Sequence, residues 1–148
     1  MVYAKNRVDE YVRAMRKTTA SGNSFSLSVT GYSMIPFLRP GLDSVIISPA
    51  SGIRRGDILL VTDKTGSPVL HRVFRLKRGH FVLLGDSRLI PDGPYPPESV
   101  IGSVSSFIRD GKTHRFSEIS RLAGICWMSL RILRPFFIKL RKLLKPQT

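Results

Sequence analysis

Two residues of this 148-residue chain, Ser33 and His71, could be joined in covalent chemistry. The serine lies in TGYSMIPFLRPGLDSVIIS, residues 30 to 48, a stretch that runs through a Pro-Gly turn into an apolar strand-like segment. A hydroxyl in that company either satisfies the turn backbone around it or is held ready to react. Serine is a poor nucleophile at neutral pH unless a neighbouring base takes its proton as the bond forms. Among three histidines, His71 stands inside PVLHRVFRL, where a regular strand points it opposite to Leu70 and Arg72. His80 and His114 stand beside Gly79 and Thr113 and are predicted to lie in exposed turns.

A catalytic imidazole also needs an acceptor that fixes its tautomer and stabilises the imidazolium, most often a carboxylate. Asp86 closes the apolar run FVLLGD, and Asp92 follows six residues later in PDGP. Both qualify, and spacing does not rank them; Asp86 is the first expectation and Asp92 the second. Serine, histidine and the aspartates come from separate segments, so only the fold can bring them together. The plainer alternative is four ordinary strand and loop residues.

The elements that must position these groups are β-rich. Phe25 to Val29 alternates with period two, and residues 44–48, 57–62, 69–76, 81–84 and 100–107 are short runs rich in Val, Ile and Leu. Turns are predicted between them at Pro40-Gly41, Ser51-Gly52, Arg55-Gly56, Thr65-Gly66, Arg78-Gly79, Asp92-Gly93 and Asp110-Gly111. The fold class is therefore mainly β, a barrel or compact curved sheets over residues 25–116. Residues 1–24 supply a short helix with Val8, Tyr11, Val12 and Met15 on one face, then a linker of small residues. Residues 117–148 form a predicted helical appendage, kinked or divided at Pro135.

A single cysteine, Cys126, excludes an intramolecular disulfide and any multi-cysteine zinc site, and no metal or organic cofactor is expected. The formal net charge of +14 points to an anionic partner. From Ile119 onward the chain has seven basic residues and no acidic one. Arg131, Arg134, Arg141, Lys142 and Lys145 gather on one side of a helical wheel, against Ile132, Leu133, Phe136, Phe137, Leu140 and Leu144. That pattern suits an interfacial helix on anionic lipid, and its longest charge-free run is far below the roughly 20 residues needed to span a bilayer. Nucleic acid is disfavoured because no reading motif accompanies the cations. The N-terminal segment has no apolar core of signal-peptide length, so the expected location is the cytoplasmic side, peripheral to a membrane.

In order, the segments GYSMIPFLRPGLDSVII, IRRGDILLV, VLHRVFRL and FVLLGDSRLIPDGPYPPESVIGSV resemble the successive boxes of the signal peptidase I and LexA-type serine peptidase clan. The resemblance covers residues 31 to 104. It implies that Ser33, followed by Met34 and Pro36, is the nucleophile, and that the base precedes the Arg72-Val73 pair. His71 at that place is similar to the archaeal and endoplasmic-reticulum type, where most bacterial signal peptidases have lysine. Asp86 and Asp92 match the Gly-Asp box and second aspartate of that type.

Two departures accompany the resemblance. Gly31 stands where many bacterial signal peptidases carry an oxyanion-binding serine, which leaves the hole to the Ser33 backbone amide and other donors. No N-terminal membrane anchor is expected from the first residues either, so secretory signal-peptide processing is not the expected task. What the resemblance implies is a serine endopeptidase acting on an extended peptide or protein precursor, with small residues near the cut. A binding module that kept this fold without catalysis is the competing expectation.

Overall fold

A computed structural model describes residues 2–133 and 135. Helix α1 (Val2–Ala20) opens the chain and is followed by β1 (Phe25–Ser28), β2 (Ser44–Ser48), β3 (Ile58–Thr62), β4 (Pro68–Lys77), β5 (His80–Leu84) and β6 (Asp92–Tyr95). After a 3-10 turn at Pro97–Ser99 come β7 (Val100–Arg109), β8 (Lys112–Arg115) and helix α2 (Glu118–Ser129). The strands form one eight-stranded antiparallel sheet in the order β1-β2-β7-β3-β4-β5-β6, with β8 on β7. The mainly β architecture read from the sequence is the one observed.

Strand β7 is the spine. Its first half pairs with β3, its second half with β8 on the same side, and β2 runs along the other side. Register shifts at Ile46/Ile47, Leu60/Val61 and Val73/Arg75 mark bulges, which add twist and let so long a path curl over a core. Strand β3 is buried on both faces: Ile58 and Leu60 join one apolar cluster, Leu59 and Val61 another. Double burial explains why ILLV reads as a continuous apolar run with no alternation.

The first cluster is roofed by α1, through Val12 and Met15, over Val29, Val45, Ile47, Ile101 and Val104. Arg16 fixes that helix by donating to the carbonyls of Glu98, Ser99 and Val100 and to the Thr62 hydroxyl. Helix α2 covers a separate small cluster, where Met128 packs with Phe74 and Leu84. Its Ser117 cap accepts from the Ser120 amide, and it ends in a 3-10 turn at Leu130–Ile132, short of Pro135.

Three local expectations are corrected. Asp92-Gly93 begins strand β6 and is no simple turn, while His80 opens β5 and His114 lies in β8, stacked on Phe107. Helix α1 runs at both ends beyond the amphipathic residues 7–17. Of the basic wheel, Arg131 sits 4.5 Å over the Phe74 ring and Ile132 and Leu133 are exposed; Arg134 and residues 136–148 lie outside the described residues.

Candidate active site

The loop carrying Ser33 is shaped by what lies beside it. Met34 and Leu38 are buried in the first cluster, 1% and 2% exposed, and the amides of Phe37 and Leu38 both donate to the Met34 carbonyl. With Met34 turned inward, its half-buried neighbour Ser33 opens on a cleft. The ends of the loop are drawn together by Val29 N–H to the Asp43 carbonyl and Gly41 N–H to the Val29 carbonyl. Asp43 itself is buried and receives Arg39 and Arg109, so the loop stands on an ion-paired base. Burial pushes this carboxyl up, but the hydrogen bonds and charges of the two arginines outweigh it and hold it well below the usual carboxylate range.

A second loop clamps the first from above. Ser87 donates its amide to the Ser33 carbonyl at 2.9 Å and its hydroxyl to the Tyr32 carbonyl at 3.0 Å. Gly85 permits the approach, because a Cβ there would come within 2.9 Å of the Ser33 carbonyl oxygen and 3.0 Å of the Ser33 Cβ. This is the packing reason for glycine in LLGDS.

Strand alternation separates His71 from Arg72. His71, opposite Leu59 of β3, faces the cleft; its Nδ1 lies 2.9 Å from Asp92 Oδ2. Tyr95 donates its hydroxyl to the same oxygen at 3.1 Å. Burial pushes the Asp92 carboxyl up, yet the His71 hydrogen bond and charge and the Tyr95 hydroxyl bring the net shift below its ordinary value. An ionised Asp92 is acceptor only, so in the neutral imidazole Nδ1 carries the hydrogen and Nε2 presents a lone pair. Asp92 Oδ1 is buried and accepts no hydrogen bond among the described residues. Burial, then the Asp92 charge, push the Tyr95 phenol up to about 12.

Asp86, the first expectation for the carboxylate on His71, is placed elsewhere. Its two oxygens take Arg72 Nε and Nη2, both at 2.8 Å, in a fully buried bidentate pair. Arg72 Nη1 donates to the Gly56 carbonyl, and the guanidinium lies over the rings of Phe37 and Phe116. Trp127 of α2 donates Nε1 to the Asp86 carbonyl. The structure thus brings His71 to Asp92 and Arg72 to Asp86.

Ser33, His71 and Asp92 share one cleft of about 750 Å³. One wall is residues 26–31, including β1, which pairs only with β2; the other is Pro68 to His71, which pair with β3 and precede the β4–β5 register. Two strand edges, unpaired among the described residues, therefore border the same gap. Its floor is apolar, with Leu27, Val29, Met34, Leu60 and Leu70. No hydrogen bond joins the Ser33 hydroxyl to His71 among the described residues.

Sequence reasoning missed Tyr95 and the pairing of Arg72. DGPY has no strand signature to aim its tyrosine, and a cation inside PVLHRVFRL reads as solvent-facing until its acid is known. Cys126 is exposed and Gly56-Asp57 forms the turn into β3. No cluster of His, Cys, Asp or Glu with metal-holding geometry occurs among the described residues, and no described helix is long and apolar enough to cross a membrane.

Residues 1–105 match the model of a family described as Peptidase S24-like. The match spans α1 to β7 and includes Ser33, His71, Asp86 and Asp92. A comparison with curated proteins finds no match.

Proposed function

The chain belongs to the Peptidase S24-like family, and from that premise we propose that it is a serine endopeptidase of the histidine-base kind, working on extended peptide or protein segments. The observation that carries the reading is the His71–Asp92 hydrogen bond facing a cleft that also holds Ser33. Ser33 Oγ attacks the peptide carbonyl while His71 Nε2 takes its proton; the tetrahedral oxyanion collapses, the C–N bond breaks, and His71 returns the proton to the leaving amine. Water, deprotonated by the same imidazole, then releases the acyl group from Ser33.

Asp92 fixes the imidazole, with Tyr95 holding its carboxylate. Asp86 serves from behind, locking Arg72 and the loop over Ser33. The Ser33 amide donates to the oxyanion. Attack requires Ser33 Oγ to come within hydrogen-bond reach of Nε2, a contact that commonly tightens only with substrate in place. A strand laid between β1 and residues 68–71 gains backbone partners on both sides, which supports an extended substrate.

The experiment is cleavage of a diverse peptide library read by mass spectrometry, with Ser33→Ala and His71→Ala beside the unaltered chain. Cleavage abolished by both changes is expected; cleavage indifferent to them sinks the assignment, and no cleavage at all favours a binding module. The basic, apolar sequence after Leu130 supports a position at an anionic membrane surface, on the cytoplasmic side. Flotation with anionic liposomes tests it: a chain ending at Leu133, which keeps α2, should be recovered much less than the full chain, and equal recovery counts against it.

A further inference from the structure

A tetrahedral oxyanion is stabilised by preorganised donors, and the proposed Ser33 backbone amide would be one. Gly31, at the cleft wall, contributes no side chain. A second donor must then be sought on the other side of the nucleophile. Arg88 is the one arginine or lysine among the described residues that line the cleft.

Its placement is specified by the loop. The Arg88 amide donates to the Gly85 carbonyl at 2.8 Å, closing a turn, and Ser87 inside that turn is bonded to the carbonyls of Tyr32 and Ser33. The Cγ of Arg88 and the Cβ of Ser33 both lie close to Gly85, 2.9 and 3.0 Å from the point a Cβ there would occupy. The aliphatic stem therefore lies near Gly85 beside the Ser33 loop, and the guanidinium extends from it along the cleft lining. No ion pair or hydrogen bond engages that guanidinium among the described residues, so its donors are uncommitted.

We propose that Arg88 is a catalytic residue, supplying charge-assisted N–H donors to the oxyanion formed at Ser33. The inference rests on the assignment of Ser33 as nucleophile. Guanidinium suits the task, since it stays charged at any working pH and presents several N–H groups in a fixed fork. Its strength grows when an extended peptide fills the cleft and displaces water, because the same charge acts through a lower dielectric.

A small, uncharged alkyl fluorophosphonate tests the idea without any side chain for Arg88 to recognise. Ser33 Oγ bonds to phosphorus, fluoride leaves with the P–F electrons, His71 takes the hydroxyl proton, and the phosphoryl oxygen occupies the oxyanion position. Labelling is followed by intact mass and mapped to Ser33. Arg88→Ala should label roughly a hundredfold more slowly, and Arg88→Lys should recover part of the rate. Because Arg88 is exposed, both variants should melt at the temperature of the unaltered chain. Equal labelling of Arg88→Ala overturns the proposal, as does a loss confined to peptides bearing an acidic residue, which would make Arg88 a substrate-recognition group. Slowing by Thr30→Ala in place of Arg88→Ala would hand the donor role to the opposite wall. Failure of the unaltered chain to label at Ser33 sinks the nucleophile assignment, and the Arg88 role with it.

Discussion

Arg72 and Asp86 form a buried bidentate ion pair, Arg72 next to His71 in the chain and Asp86 in the loop packed on Ser33. Arg72 follows His71 on β4, and Asp86 lies between Gly85 and Ser87, the two residues packed on Ser33. The pair thereby ties the strand of His71 to the loop of Ser33. Removing one partner leaves an uncompensated charge in the interior.

Asp86→Ala should therefore lower stability by about 3–5 kcal/mol, read as the midpoint of urea unfolding. Joint replacement, Arg72→Met with Asp86→Leu, should recover most of that loss because no charge is left buried. A double variant as unstable as the single one would show that the pair is not the cause.

Asp92→Asn should leave the fold standing while depressing turnover by on the order of 10³–10⁴, since an amide can hold His71 in the wrong tautomer. The readout is kcat on a peptide chosen from the library, beside thermal melting. Near-normal turnover in the variant would remove Asp92 from the mechanism.

Acid should weaken the fold through Asp43. Its folded-state pKa lies below the unfolded value near 3.9, so the unfolded chain binds more protons. The contribution is present above that value and is lost as pH falls through it toward the folded pKa. Urea midpoints measured from about pH 5 to pH 2 should fall steadily, and Asp43→Asn should flatten the slope while starting less stable. An unchanged slope would place the acid sensitivity elsewhere.

Gly124→Ala offers a contest between two effects of opposite sign. Alanine gains up to about 1 kcal/mol in a helix interior. A Cβ at this position, however, would fall well inside contact distance of the Arg72 guanidinium, including 2.6 Å from Nε, and that group is held by Asp86 and cannot retreat. Overpacking of this kind costs about 1–3 kcal/mol, so the variant should melt lower. A higher melting temperature would mean that α2 shifts freely on the sheet.

The apolar strands were legible because Val, Ile and Leu runs between Gly turns have few other uses. Strands β6 and β8 were not: DGPY and KTHR are nearly devoid of apolar side chains and exist as strands because β5 and β7 offer backbone partners. Ser33 and His71 could be singled out from their neighbours, Met34 and the PVLHRVFRL run. The choice between Asp86 and Asp92 could not, since it depends on which face of β4 each acid meets, and a strand shows opposite faces at adjacent residues. The same alternation hid Arg72, whose burial requires an acid fourteen residues away.

The two bare strand edges across the cleft also decide which chains it can admit. Any chain admitted between β1 and the start of β4 must surrender its own helical or turn hydrogen bonds before it receives new ones. Admission is thus a test of foldedness, passed by slack or unravelled segments and failed by well-ordered ones. By that criterion the bonds inside helices α1 and α2 of another copy are protected by their conformation, whatever their side chains.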